Sequence, residues 1–175
     1  MKALRIKSEG KTAELVSMSK DDLTPGDVLI KTEYSSLNYK DALAVTNKGK
    51  ILRKFPLNAG IDVAGTVEES ADPNIKKGAM VLTTGCGLSE TIDGGLAEYC
   101  RVPSKWVIKI PKPFTSKHAM AIGTAGFTAG LCLAKMEQND QNPKNGPIVI
   151  TGASGGVGSI ATALFANKGY EVWAV

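Results

Sequence analysis

The spacing of hydrophobic positions changes near residue 115. Before it, short apolar runs alternate with polar residues at a period of two, the mark of half-buried strands. Residues 1–8 (MKALRIKS) and 12–19 (TAELVSMS) predict a hairpin pair, and the turn former TPGD at 24–27 precedes an alternating strand, VLIKTEYSSL. A short helix is expected over 38–45, with Asn38 able to cap it. GIDVAGTVEES (60–70) and AMVLTT (79–84) read as strands separated by the Asp72-Pro73-Asn74 turn, and 94–111 as two strands joined near Pro103. Short strands broken by Gly and Pro predict a small barrel-like β domain. Beyond residue 115 the period becomes helical. Ser116 and Thr124 are the expected caps of two helices, the second running to about residue 136. A polar loop (138–147) then leads to strand PIVIT, a helix over 156–168 and a strand, YEVWAV, at 170–175.

Composition narrows the classes. The 175 residues are 43% hydrophobic and 22% charged, ordinary globular usage, with a formal charge of +4. No Lys/Arg run is interleaved with aromatics, which argues against nucleic acid as a partner, while a mild positive balance suits a phosphate-bearing small ligand. No apolar stretch is read as reaching the roughly 18–20 residues that span a bilayer, so no membrane partner is expected. Cys86, Cys100 and Cys132 are odd in number and have no CxxC spacing, which predicts neither a disulfide framework nor a cysteine zinc site. The expected compartment is a cytoplasm.

The densest signal is TGASGGVGS at 151–159, where Gly152, Gly155 and Gly158 fall in GxxGxxG spacing with Gly156 between them. It follows a β-branched strand and opens a helix that returns to a strand, the context in which such a turn holds a dinucleotide pyrophosphate. Glycines there permit the turn and the approach of phosphate, and the N–H groups of the helix start face the anion. Ser154, Gly155, Gly156 and Val157 form the expected cradle, with Gly158 mainly a packing glycine. A Walker P-loop is excluded, since no Gly-Lys-Ser/Thr follows. The acidic residue that selects NAD lies about 20 residues past such a motif. Val175 is the last residue given, so the residues present leave NAD or NADP open. One β-α-β unit is also less than a whole nucleotide domain, and a piece of a longer protein is expected.

Five strings carry a family resemblance: SSLNYKDALA (35–44), FPLNAGIDVAGTV (55–67), GGLAEYCRV (94–102), IGTAGFTAGLCL (122–133) and TGASGGVGS. Together they resemble the zinc-independent quinone-oxidoreductase-like branch of the medium-chain dehydrogenases/reductases and, within it, the acrylyl-CoA reductase family. The resemblance implies an α/β fold: a GroES-like β-barrel domain over 1–120, then the first β-α-β unit of a Rossmann domain over 121–175. It implies a full-length homo-oligomer that uses NADPH to reduce the C=C bond of an α,β-unsaturated acyl-CoA, hydride going to the β-carbon and a proton to the α-carbon. A quinone or enone reductase of the same branch is the nearest alternative. A non-catalytic β domain with a nucleotide-binding stub is the alternative from another class.

Zinc-dependent relatives carry Cys at the head of the short helix and Gly-His-Glu on the next strand. Asn38 and Gly60-Ile61-Asp62 stand there instead, so no metal is expected. The resemblance places Asn38 and Tyr39 in catalysis, with the Asn amide or the Tyr hydroxyl donating to the thioester oxygen, although a cap and a core tyrosine are the plain alternatives. It places Tyr39 and Thr124 also beside the nicotinamide, with Thr124 equally a helix cap. Lys40 and Asp41 are expected to be solvated. His118, the only histidine, is expected at the surface or in a cap, and the cations Lys48, Lys50, Arg53 and Lys54 in a solvated loop or near a CoA tail.

Overall fold

In the computed structural model, which describes residues 1–175, the alternating segments form strands where the pattern places them. The hairpin is β1 (Lys2–Ile6) against β2 (Glu14–Ser17), antiparallel with Leu4 opposite Leu15. Next come β3 (Val28–Tyr34), α1 (Tyr39–Val45), a two-residue β4 (Leu57–Asn58) and β5 (Asp62–Ser70). Strands β6 (Met80–Thr84), β7 (Tyr99–Val102) and β8 (Ile108–Lys109) complete this half. Two sheets result, ordered β2-β1-β4 and β7-β3-β5-β6-β8. They are joined at a corner: Leu4 N–H donates to the Leu96 carbonyl at 2.9 Å, while a few residues on β7 pairs with β3. The sheets therefore form an open barrel.

Inside it, Val28, Ile30, Val63, Val67, Val81 and Val102 are buried together, the β-branched faces of the central strands. A buried ion pair pins the corner. Asp93 accepts from Arg5 at 2.9 Å and from the backbone N–H groups of Asn58 and Thr24, both at 2.7 Å. Those three donors sit on separate segments, so one carboxylate ties them together.

The second half contains α2 (Ser116–Gln138), β9 (Ile148–Ile150), α3 (Gly156–Asn167) and β10 (Val172–Ala174). Strands β9 and β10 are parallel, with Trp173 opposite Val149. This is a β-α-β unit. Its core gathers Ala129, Leu133, Ile148, Ala161, Phe165 and Tyr170, with the Phe165 and Tyr170 rings edge to face at 5.3 Å. The chain divides into two compact units, Met1–Ala121 and Ile122–Val175.

Helix α2 consists of two helical segments that meet at a kink at Gly123, whose φ of 50° and ψ of −161° lie outside the helical region and are open essentially to glycine alone. Thr124 thus opens a second helical segment, as the sequence predicts. The cap of the first segment differs from expectation. Ser116 is buried inside the helix, and Thr115 caps it, its hydroxyl accepting the His118 N–H at 3.4 Å. The Thr115 N–H in turn reaches His118 Nδ1 at 3.3 Å, so the histidine closes the cap. By length and hydropathy α2 also meets the requirements of a bilayer-spanning helix, which corrects the expectation that no stretch does. One part of its apolar surface is packed, Ala129 and Leu133 lying in the core of the β-α-β unit, while Ile122, Phe127 and Leu131 are exposed.

Candidate functional site

Two places carry the residues singled out above, one in each unit. In the first unit, Asn38 is the N-cap of α1, with extended φ/ψ of −117° and 159°. Three residues on, the Asp41 carboxylate accepts the Asn38 backbone N–H at 2.8 Å, the return half of a capping box. Its other oxygen accepts the Ile61 N–H at 2.9 Å. Asp41 is only 2% exposed, so the expectation that it is solvated was wrong. Lys40 remains half-exposed and pairs with Glu90.

The Asn38 amide nitrogen lies 2.9 Å from Asp62 Oδ2 and 3.3 Å from Asp41 Oδ2. Carboxylates only accept, so both amide hydrogens point inward and are not offered to a substrate oxygen. Asp62 Oδ2 also accepts the Ser36 hydroxyl, and the Asp62 carbonyl accepts the Ser35 hydroxyl at 2.8 Å. Burial raises the Asp41 carboxyl above its ordinary value. The N–H groups of Asn38 and Ile61 and the Asn38 amide oppose that rise, and the neighbouring Asp62 adds to it. Tyr39 is the contrast: 80% exposed, with a hydroxyl that bonds to nothing else in the chain. At the start of α1 the phenol is the free donor.

A tetrahedral zinc site needs thiolate or imidazole ligands beside any carboxylate. Asn38 and Ile61 supply neither, and Asp62 is held by Asn38 and Ser36. The residues present do not fit that metal.

A cavity of about 330 Å³ opens at the other end of α1, lined by Ile6, Ala44, Leu52 and Phe55 and by Lys48 and Lys50. Lys50 faces Glu9 at 3.7 Å and Arg53 faces Glu90 at 4.0 Å, so two of the four loop cations have carboxylate neighbours.

In the second unit the glycine turn joins β9 to α3. Gly155 caps α3 with no side-chain bond, leaving the N–H groups of Gly156 and Val157 exposed at the positive end of a 12-residue helix. Ser154 is exposed beside them. A Cβ on Gly158 would lie 2.2 Å from the Gly152 carbonyl oxygen, so helix and turn meet closely enough to require glycine. Gly152, Gly155 and Gly156 border a cavity of about 480 Å³. Open donors and missing side chains fit a pyrophosphate. Thr124 is half-buried at the Gly123 break, where its carbonyl accepts the Thr128 hydroxyl at 2.7 Å.

Sequence reading places Asn38 as the cap of α1 and the glycine turn at the head of α3, where the structure has them, but gives no sign of Asp41, Asp62, Ser35 and Ser36 as partners of the α1 start. The Asn-x-x-Asp spacing of a capping box could have signalled Asp41. Nothing local signals Asp62, 24 positions from Asn38.

An open barrel followed by a β-α-β unit with this turn defines an oxidoreductase architecture, and comparison agrees. Residues 24–112 match the alcohol dehydrogenase GroES-like domain. The chain belongs to that family, in the quinone-oxidoreductase-like branch of the medium-chain dehydrogenases/reductases. Among its relatives, the probable acrylyl-CoA reductase AcuI of Escherichia coli is 50% identical over 100% of this chain and 55% of its own length. The yhdH oxidoreductase of Salmonella enterica, crystallised with NADP, has a TM-score of 0.95 and 49% identity over 99% of this chain and 54% of its own. YhfP of Bacillus subtilis, a putative quinone oxidoreductase, is 46% identical over 89% of this chain and 47% of its own length. Its structure with NAD bound has a TM-score of 0.93. The chain spans about half the length of these relatives.

Proposed function

We propose that the full-length protein reduces the C=C bond of an α,β-unsaturated acyl-CoA of the acrylyl-CoA type, using NADPH and no zinc. One combination carries this reading: a single chain holds an open, glycine-lined helix start and a second helix start that exposes a phenol, Tyr39, directly after Asn38, which stands where zinc-dependent relatives have a cysteine ligand. The bound dinucleotide supplies the hydride. Ser154, Gly155, Gly156 and Val157 would hold its pyrophosphate, with Gly158 letting helix and turn meet closely, and the family resemblance assigns Thr124 and Tyr39 to the nicotinamide. The Tyr39 hydroxyl donates to the thioester oxygen as enolate charge develops. Asn38 holds the start of α1 from which Tyr39 projects.

Reduction of an activated double bond suits this constellation, because the thioester already delocalises charge that a ketone would pass to a Lewis acid. The similarity to the probable acrylyl-CoA reductase supports the substrate class. The partly apolar cavity at the far end of α1 is lined by Lys48 and by Lys50, which also faces Glu9, and the Lys48 cation suits the anionic tail of a CoA ester. In the same reading the protein is a cytoplasmic homo-oligomer.

The test is NADPH oxidation by the full-length protein with acrylyl-CoA and, separately, a simple quinone. Turnover with the thioester is expected. Turnover with the quinone alone would replace this assignment by that of a quinone reductase, the name borne by YhfP. Parallel runs with NADH decide the cofactor.

A further inference from the structure

Helix α1 is seven residues long, and helices shorter than about 12 residues are marginal on their own. Apolar packing does little to place its start. Of its residues only Asp41 and Ala44 are buried, while Leu37 just before it is 81% exposed and Tyr39 is 80% exposed. Ala44, the half-buried Leu43 and Val45, and a 2.8 Å bond from the Ala13 N–H to the Val45 carbonyl hold its far end, while the polar contacts of its start converge on two residues. Ile61 N–H donates to Asp41, the Ser35 hydroxyl donates to the Asp62 carbonyl, and Ser36 and Asn38 both donate to Asp62 Oδ2. Asp62 opens β5, which lies between β3 and β6 in the five-stranded sheet, and it is 0% exposed. The anchor is therefore rigid, and it is too deeply buried to meet a substrate.

We infer that Asp62 is a positioning residue: by accepting from Ser36 and Asn38 it staples the start of α1 to β5 and so fixes where the Tyr39 hydroxyl points. The inference rests on the reading of Tyr39 as a group that acts on substrate. A hydrogen-bond acceptor is what the role requires; a negative charge is not. Asn at position 62 retains an oxygen for both donors, and Ala has none.

Asp62→Asn and Asp62→Ala in the full-length protein test this. For Asp62→Ala, kcat is expected to fall roughly ten- to hundredfold, as small misplacements of a catalytic group do, with KM for NADPH unchanged. Asp62→Asn should stay within about threefold of wild type, the size of one weakened hydrogen bond. A second readout is independent of turnover. With ¹⁵N-labelled asparagine, the Asn38 amide protons should exchange slowly in wild type and Asp62→Asn, and fast in Asp62→Ala. If Asp62→Asn is as inactive as Asp62→Ala and loses a limb of the pH–rate profile, the charge itself takes part and the positioning role is overturned. Slow exchange in Asp62→Ala would show that something else holds α1. Fast exchange in Asp62→Ala with kcat intact would leave the staple standing and remove Tyr39 from the chemistry. Should Asp62→Ala fail to fold, Ser36→Ala removes one of the two donors and is expected to act in the same direction at smaller size.

Discussion

The starts of α1 and α3 are the same object electrically, a helix end with unpaired N–H groups and a partial positive charge, yet the chain treats them in opposite ways. At α1 the end is closed from inside. Asn38 caps it, Asp41 takes the cap's own N–H, and Asp62 holds the cap's amide. At α3 the cap is a glycine with no side chain to offer, and the donors of Gly156 and Val157 stay open. A closed end makes a platform from which one side chain, Tyr39, can be aimed. An open end makes a receptor for an anion. One site depends on which side chains are present, and the other on the absence of any.

That contrast is broken most severely by adding a side chain to the open end. Gly158→Val places carbon where the Gly152 carbonyl oxygen stands 2.2 Å away, and backbone on both sides cannot yield cheaply. A loss of about 2–4 kcal/mol is expected, in the upper range for overpacking. Urea unfolding read separately from Trp173, in the second unit, and Trp106, in the first, checks it: the Trp173 transition should move much the further. Gly155→Ala sharpens the point, since its Cβ would lie 3.3 Å from the same oxygen. Its stability cost should be under about 1 kcal/mol, with the larger effect on NADPH affinity. Equal stability losses for the two variants would contradict the close-packing role given to Gly158.

The same contrast explains what could be read from the sequence. The glycine turn is contiguous, flanked by its own strand and helix, so its pattern survives in one dimension. The hairpin, the cap at Asn38, the Asp72 turn and the break before Thr124 are equally local. Strand β4 was missed because two residues, Leu57 and Asn58, carry no period; only pairing with β1 defines them. Thr115 displaced Ser116 as a cap because the partner that decides it, His118, reads as an isolated histidine. Asp41 defies the expectation that a charged residue on a short helix is solvated, because its two oxygens are taken by the N–H groups of Asn38 and of Ile61, 20 positions away. Asp62 meets Asn38 only through the fold.

A smaller and opposite effect is expected where the closed end exposes its one free group. Tyr39→Phe removes a hydroxyl with no partner in the chain, so stability should stay within about 0.5 kcal/mol of wild type. If the phenol meets developing charge on the substrate, kcat should fall by about a hundredfold, the range for loss of one oxyanion donor. Thermal unfolding and steady-state turnover of the same preparation measure both. A fall in stability with turnover intact would make Tyr39 a packing residue and reverse the contrast.

The smallest effect concerns which force wins inside the closed end. Burial raises the Asp41 carboxyl, while the N–H donors of Asn38 and Ile61 and the Asn38 amide lower it, and burial prevails. A carboxyl raised in the folded state binds its proton more tightly there than in the unfolded chain. Its contribution is fully present below the unfolded value, about 3.9, and is lost as pH rises through the raised folded value. Asp41→Asn cannot titrate. The stability of wild type relative to Asp41→Asn should therefore decline as pH rises from about 3.5 toward neutrality, whatever the fixed cost of the substitution. Urea unfolding of both proteins at stepped pH gives that difference directly. A difference that grows with pH would mean the three donors outweigh burial, and the start of α1 would then be held by a stabilised carboxylate in place of a strained one.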